Sequence, residues 1–213
     1  MFRRAFFVGL TVLIALAAGA CTPAVRVNNT AGSPTIYEDP RTVGAVAGIG
    51  MESQDIMGMT DKMVRDMLAN PMLAGRTPSP RVIVDAEYFR NEGSTRLNKN
   101  MLTDRLRSGL MRAANGRILF ISRESSDMVA KERDLKRQGL VSQGTLGSAQ
   151  AQAGADFRLT GRITSQDALQ KGTGMASRYH MVNFEMVDLE TGMIVWTNIY
   201  EFKKSAADDI VYR

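Results

Sequence analysis

A turn of Glu190-Thr191-Gly192 lies between two runs in which every second residue is apolar. Val182, Phe184 and Met186 alternate before it. Ile194, Trp196, Tyr200 and Phe202 share one parity after it, with Asn198 among them. A strand turns successive side chains to opposite faces, so this period marks one buried face and one wet face. The runs are read as an antiparallel hairpin of strands Arg178 to Asp188 and Met193 to Phe202. Asp156 to Thr164 reads as a third strand, followed by a polar loop containing Lys171-Gly172-Thr173-Gly174.

Upstream the period changes to three and four. Asp55 reads as an N-cap, and Ile56, Met59, Met63 and Met67 mark one helix face ending near Asn70-Pro71. Arg81 to Phe89 is rich in β-formers and is expected as a single strand. Asn98 or Asn100 caps a second helix with Leu102, Leu106 and Leu110 on one face, stopped by Asn115-Gly116. Ile118 to Ile121 is expected as a short buried strand. Ser122 is expected to cap a third helix reaching about Gln138, with Met128, Val129 and Leu135 in its stripe. Leu146 to Ala153 is expected as a short fourth helix. Strands and helices alternate first and hairpins follow. The expected fold class is α/β, a mixed, largely antiparallel sheet with helices packed on it.

The N-terminus reads as a targeting segment. Met1-Phe2-Arg3-Arg4 is a basic n-region, and Ala5 to Ala18 is uncharged, fourteen residues long. That length suits the h-region of a signal peptide and falls short of the roughly 20 residues of a membrane span. Small residues close it, and Cys21 follows, the one cysteine in the chain. A lone cysteine in a secreted protein cannot form an internal disulfide. The Ala18-Gly19-Ala20-Cys21 run resembles the lipobox of bacterial lipoproteins, which implies acylation at Cys21. The alternative is an ordinary signal peptide with an incidental cysteine. Two or more acyl chains hold a protein stably on a membrane. Thr22 after the cysteine, by the sorting rules of Gram-negative lipoproteins, implies the outer membrane, facing the periplasm. The expected organisation is a signal peptide over residues 1–20, lipidated Cys21 with a flexible tether over 21–53, and a globular domain over 54–213. The tether would reach on the order of 110 Å when fully extended.

Composition narrows the function by exclusion. Without Arg3 and Arg4 the chain has 25 basic against 22 acidic residues, too even a balance to argue for nucleic acid. His180 is the one histidine, set in a strand, and reads as a structural or surface residue. Zinc sites want several His or Cys ligands, so no metal and no cofactor are expected. The glycines from Gly44 to Gly50 lack the Gly-Lys-Ser/Thr ending of a phosphate loop. The pair Asp208-Asp209 does not have the separation of glycosidase carboxylates. No catalytic residues are expected. The fourteen methionines fit gap-filling in a core. Arg105, Arg107 and Arg112 read as a solvated helix face, with an acidic-partner surface as the alternative.

Further residues carry a family resemblance. Gly154-Ala155-Asp156-Phe157-Arg158-Leu159-Thr160-Gly161-Arg162-Ile163, then Tyr179, then Asp188-Leu189-Glu190-Thr191-Gly192-Met193-Ile194-Val195-Trp196, resembles the LpoB-type lipoproteins. Glu52 to Ile56, Phe89 to Glu92 and Asn115 to Phe120 fit as well, so the resemblance spans about residues 52 to 202. It implies a non-enzymatic, lipid-anchored regulator that binds and activates a class A penicillin-binding protein, a bifunctional peptidoglycan synthase. The motif is similar in curli-secretion lipoproteins of the CsgG type and in TolB amino-terminal domains. An outer-membrane secretion or assembly component is therefore the second expectation, and a wall hydrolase or transferase the third. The tether is shorter and poorer in proline than in better-known LpoB proteins. The resemblance assigns no partner-contact residues.

Overall fold

The computed structural model describes residues 35–44, 47–145, 151–170 and 174–207. The described helices and strands all belong to the unit Tyr37–Arg213. The expected signal peptide, Cys21, the first part of the expected tether, Lys171 to Thr173 and Asp208-Asp209 lie outside the described residues.

The helices are α1 (Ser53–Ala69), α2 (Pro71–Ala74), α3 (Lys99–Ala114) and α4 (Ser126–Arg137). The strands are β1 (Arg81–Ile83), β2 (Phe89–Asn91), β3 (Leu119–Phe120), β4 (Phe157–Gln170), β5 (Met175–Asp188) and β6 (Ile194–Ala207). They form one mixed sheet in the order β3-β1-β4-β5-β6, with β2 also paired to β4. Pairs β1–β3, β1–β4 and β2–β4 are parallel, while β4–β5 and β5–β6 are antiparallel. The expected α/β class is the observed one.

The core is the apolar stripe of α1 and α3 laid on one sheet face. Ile56, Met59, Met63 and Met67 of α1 and Leu102, Leu106 and Leu110 of α3 are buried with Phe157, Leu159, Val182, Phe184 and Trp196. The α1 methionines are core, as their spacing indicates. Trp196 Nε1 also donates to Asp66 Oδ2 at 2.7 Å, which ties β6 to α1.

Several boundaries differ from the sequence reading, each for a local reason. α1 begins earlier than Asp55: Glu52 is the N-cap, and its N–H donates to Asp55 Oδ2 at 2.9 Å in a capping box. Asn70 caps the short α2 by accepting from Met72 N at 2.8 Å. Asn98, not Asn100, caps α3, accepting from Asn100 N at 3.0 Å. The single strand expected over 81–89 is split into β1 and β2. Ile83 lies opposite Arg158 and Phe89 opposite Gly161, so the intervening chain is longer here than in β4 and loops outward. β3 is an edge strand, not a buried one: Ile118 is buried but Leu119 is 48% exposed. α4 starts after Ser125 and buries no residue. Residues 151–153 are not helical, and residues 146–150 of the expected fourth helix lie outside the described ones. The β4–β5 ladder continues beyond Thr164, since backbone pairing tolerates the polar side chains there. Ile194 leaves the face of Trp196 through a register shift at Met186/Val187.

Candidate functional site

Alternation along β4, β5 and β6 gives the sheet a second face, away from α1 and α3. It carries Thr160, Arg162 and Thr164 on β4, Met181, Asn183 and Glu185 on β5, and Thr197, Ile199 and Glu201 on β6. The register aligns Arg162, Asn183 and Ile199 in one row, and Arg90 of β2 extends it. Tyr88, Arg90, Met181, Glu185 and Ile199 help to line a depression of about 450 Å³ on this face. Ile199 is 44% exposed. Arg162 reaches only as near as 3.7 Å to Glu92, and Arg90 makes no ion pair among the described residues. These guanidinium groups therefore keep donors for an incoming carboxylate or carbonyl.

One edge of this face is held rigid. The loop between β1 and β2 brings Asp85, 3% exposed, under Arg158, whose Nη2 donates to its two carboxylate oxygens at 2.9 and 2.8 Å. Glu87 also accepts from Arg158, and the guanidinium lies 4.2 Å from the Tyr88 ring centroid. Burial works against the charge on Arg158, but the hydrogen bonds it donates to Asp85 and Glu87 outweigh it and raise its pKa. The outward loop thus positions Tyr88 beside the depression.

At the other end of the sheet the segment Gly48–Glu52 is fastened to β5 and β6. His180, 2% exposed, places Nε2 at 2.7 Å from the Ile49 carbonyl. Its ring stacks on Phe202, centroids 4.7 Å apart. Lys204 Nζ donates to the Gly50 carbonyl at 3.1 Å and pairs with Asp55 at 2.5 Å and Glu52 at 3.3 Å. Gly48 N donates to Glu52 Oε1 at 2.6 Å. Burial pushes the Glu52 carboxyl up, but Gly48, Gln54 and Lys204 prevail and hold it below the usual value. The sequence reading left these residues in the tether, yet Ile49 is 4% exposed.

The other singled-out residues are engaged locally. Arg107 donates to the Val84 carbonyl at 2.8 Å and pairs with Asp104, Arg105 lies 3.7 Å from Asp61, and Arg112 donates to the Ser108 carbonyl at 3.3 Å. His180 is a structural residue, one of the two roles its setting allowed. Cys21 lies outside the described residues. Among those residues no group of three His, Cys, Asp or Glu could hold a metal, and no helix is long and apolar enough to cross a membrane. The sequence reading missed Asp85, Arg158 and Lys204. An Asp directly after a β-forming run was the one available sign of the first pair, and nothing local marked Lys204.

The sheet thus has one face under helices and the other set with guanidinium, amide, hydroxyl and apolar groups. The family model of the peptidoglycan-synthase activator LpoB matches residues 55–202, and the chain belongs to that family. Members of that family are described as peptidoglycan-synthase activators. No curated protein matches the chain. Among solved structures it is similar to the LpoB C-terminal domain from Salmonella enterica, at 23% identity and TM-score 0.41, covering 70% of this chain and 98% of that one. The LpoB C-terminal domain from Escherichia coli is similar at 22% identity and TM-score 0.40, with 70% and 98% covered. A point variant of the PelC dodecamer from Paraburkholderia phytofirmans is more distant, at 16% identity and TM-score 0.30, with 61% and 74% covered.

Proposed function

We propose that this chain is a non-enzymatic regulator, anchored through acylated Cys21 to the outer membrane, that binds and activates a class A penicillin-binding protein. The observation that carries this reading is the family match over residues 55–202. The anchor is supported by the fourteen uncharged residues from Ala5 to Ala18, closed by small residues and followed by the single cysteine. Activation by a bound protein requires that it bind one conformation of the synthase better than another. The bare sheet face around Arg90, Arg162 and Ile199 is the surface we assign to that contact.

The test adds the purified full-length chain, in detergent, to each class A penicillin-binding protein of the same organism. Polymerisation and crosslinking of lipid-linked precursor are followed. A saturable rise in rate is the expected result and identifies the synthase. No change in rate with any of them, and no binding measured in parallel, overturns the reading. Radiolabelled palmitate incorporation that disappears in Cys21→Ser tests the anchor separately.

A further inference from the structure

We propose that Gly48–Glu52 is an acid-released strap, clamped to β6 by Lys204 and to β5 by the neutral His180 ring, and let go when that ring gains a proton. The inference concerns the domain alone and does not depend on which partner it binds.

The geometry assigns the protons. A carbonyl oxygen only accepts, so at 2.7 Å from the Ile49 carbonyl Nε2 must carry hydrogen. In the neutral ring Nδ1 is then the basic nitrogen. A proton arriving from solvent goes to Nδ1 and turns the ring into a cation, with no other bond made or broken. That cation would sit beneath the strap, stacked on Phe202. Taking it out of water is costly unless a partner compensates. Opening the strap returns the ring to water and relieves that cost.

The charges around His180 come from four elements. Arg178, two residues along β5, is paired with Asp167 of β4, Nε to Oδ1 at 2.5 Å and Nη2 to Oδ2 at 2.8 Å. Lys204 of β6 is paired with Asp55 of α1 and with Glu52 at its cap. The two carboxylate-bearing elements are thus already committed to cations. The balance agrees with the geometry: burial depresses the His180 pKa below the ordinary histidine value, the Ile49 carbonyl and Asp55 oppose it, and Arg178 and Lys204 add to it.

Release has two structural consequences. It frees the five residues from Gly48 to Glu52, which extended would add roughly 17 Å to any leash upstream. It also takes the Gly50 carbonyl and the Glu52 carboxylate away from Lys204 Nζ, leaving that ammonium paired with Asp55.

The experiment uses the full-length chain without a histidine tag, in detergent, and follows amide hydrogen exchange at about pH 7.5 and about pH 5, either side of an ordinary histidine pKa. After correction for intrinsic exchange, amides 48–52 are expected to exchange several-fold faster at the lower pH, because the released ring binds a proton more readily than the clamped one. His180→Gln keeps a donor and cannot titrate, so its strap should show the same protection at both values. No acid acceleration in the native chain, or equal acceleration in both proteins, overturns the proposal. Should His180→Gln not fold, the single imidazole signal of the native chain decides. A titration below the ordinary value of about 6.5 that coincides with strap release supports it, and one at or above that value sinks it.

Discussion

Gly161 leaves no room for a methyl group. A Cβ there would lie 2.4 Å from Phe89 Cε1, since the Phe89 ring rests on the β4 backbone and meets Phe184 edge-on at 5.8 Å. Gly161→Ala is expected to cost about 1–3 kcal/mol by overpacking, read from the urea midpoint at unchanged m-value. The glycine is plain in the sequence, but its reason is not, because the ring above it comes from a residue far away in the chain. Arg158 presents the opposite problem. Removing it strands the buried Asp85 carboxylate, so Arg158→Met should destabilise by about 3–5 kcal/mol. Arg158→Met with Asp85→Leu should recover most of that loss in the same measurement. Glu87 is exposed at its end and should matter little by itself.

Among the elements, α1 and α3 were legible because their apolar residues repeat at helical spacing and the observed stripes are the same residues. The β5–β6 hairpin was legible for the same reason at period two. Polar strand ends were not, since ladder hydrogen bonds need no particular side chain. The break between β1 and β2 was also hidden, because Val84 and Tyr88 continue the β-forming composition on either side of Asp85-Ala86-Glu87. The alternation did announce a wet sheet face, but not the row that β2 adds to it. On that face Arg162→Glu with Ile199→Asp should abolish synthase binding and stimulation while leaving the thermal midpoint within a few degrees. A loss of folding or an unchanged binding constant would refute the assignment of the surface. β6 is an edge strand, fourteen residues long, with Glu201 and Lys203 on its wet side. Charges on an edge oppose pairing with other chains. Replacing Glu201 and Lys203 by Val should give concentration-dependent association, visible by light scattering.

For the whole molecule, acid should act in two stages. His180 has a native pKa below its unfolded value, so the unfolded chain binds more protons in that interval. Stability is then full above about 6.5 and declines as pH falls toward the native pKa. Asp156 and Asp167 are held low by hydrogen bonds from Arg81 and Arg178, and their contribution is lost further down, below the ordinary carboxylate range. Urea midpoints across pH should show both declines in the native chain and only the lower one in His180→Gln. The order of events along the chain matters as well. Trp196 bonds to Asp66 across 130 residues, His180 to Ile49 across 131 and Lys204 to Gly50 across 154. The first helix of the domain is completed by its last strand. Such distant pairings form late, because a long loop must close before they return any stabilisation. A chain emerging end first from a ribosome or a secretion pore therefore has no finished domain to fold until β6 is free. The chain stays threadable until its last strand has emerged, and only then becomes compact.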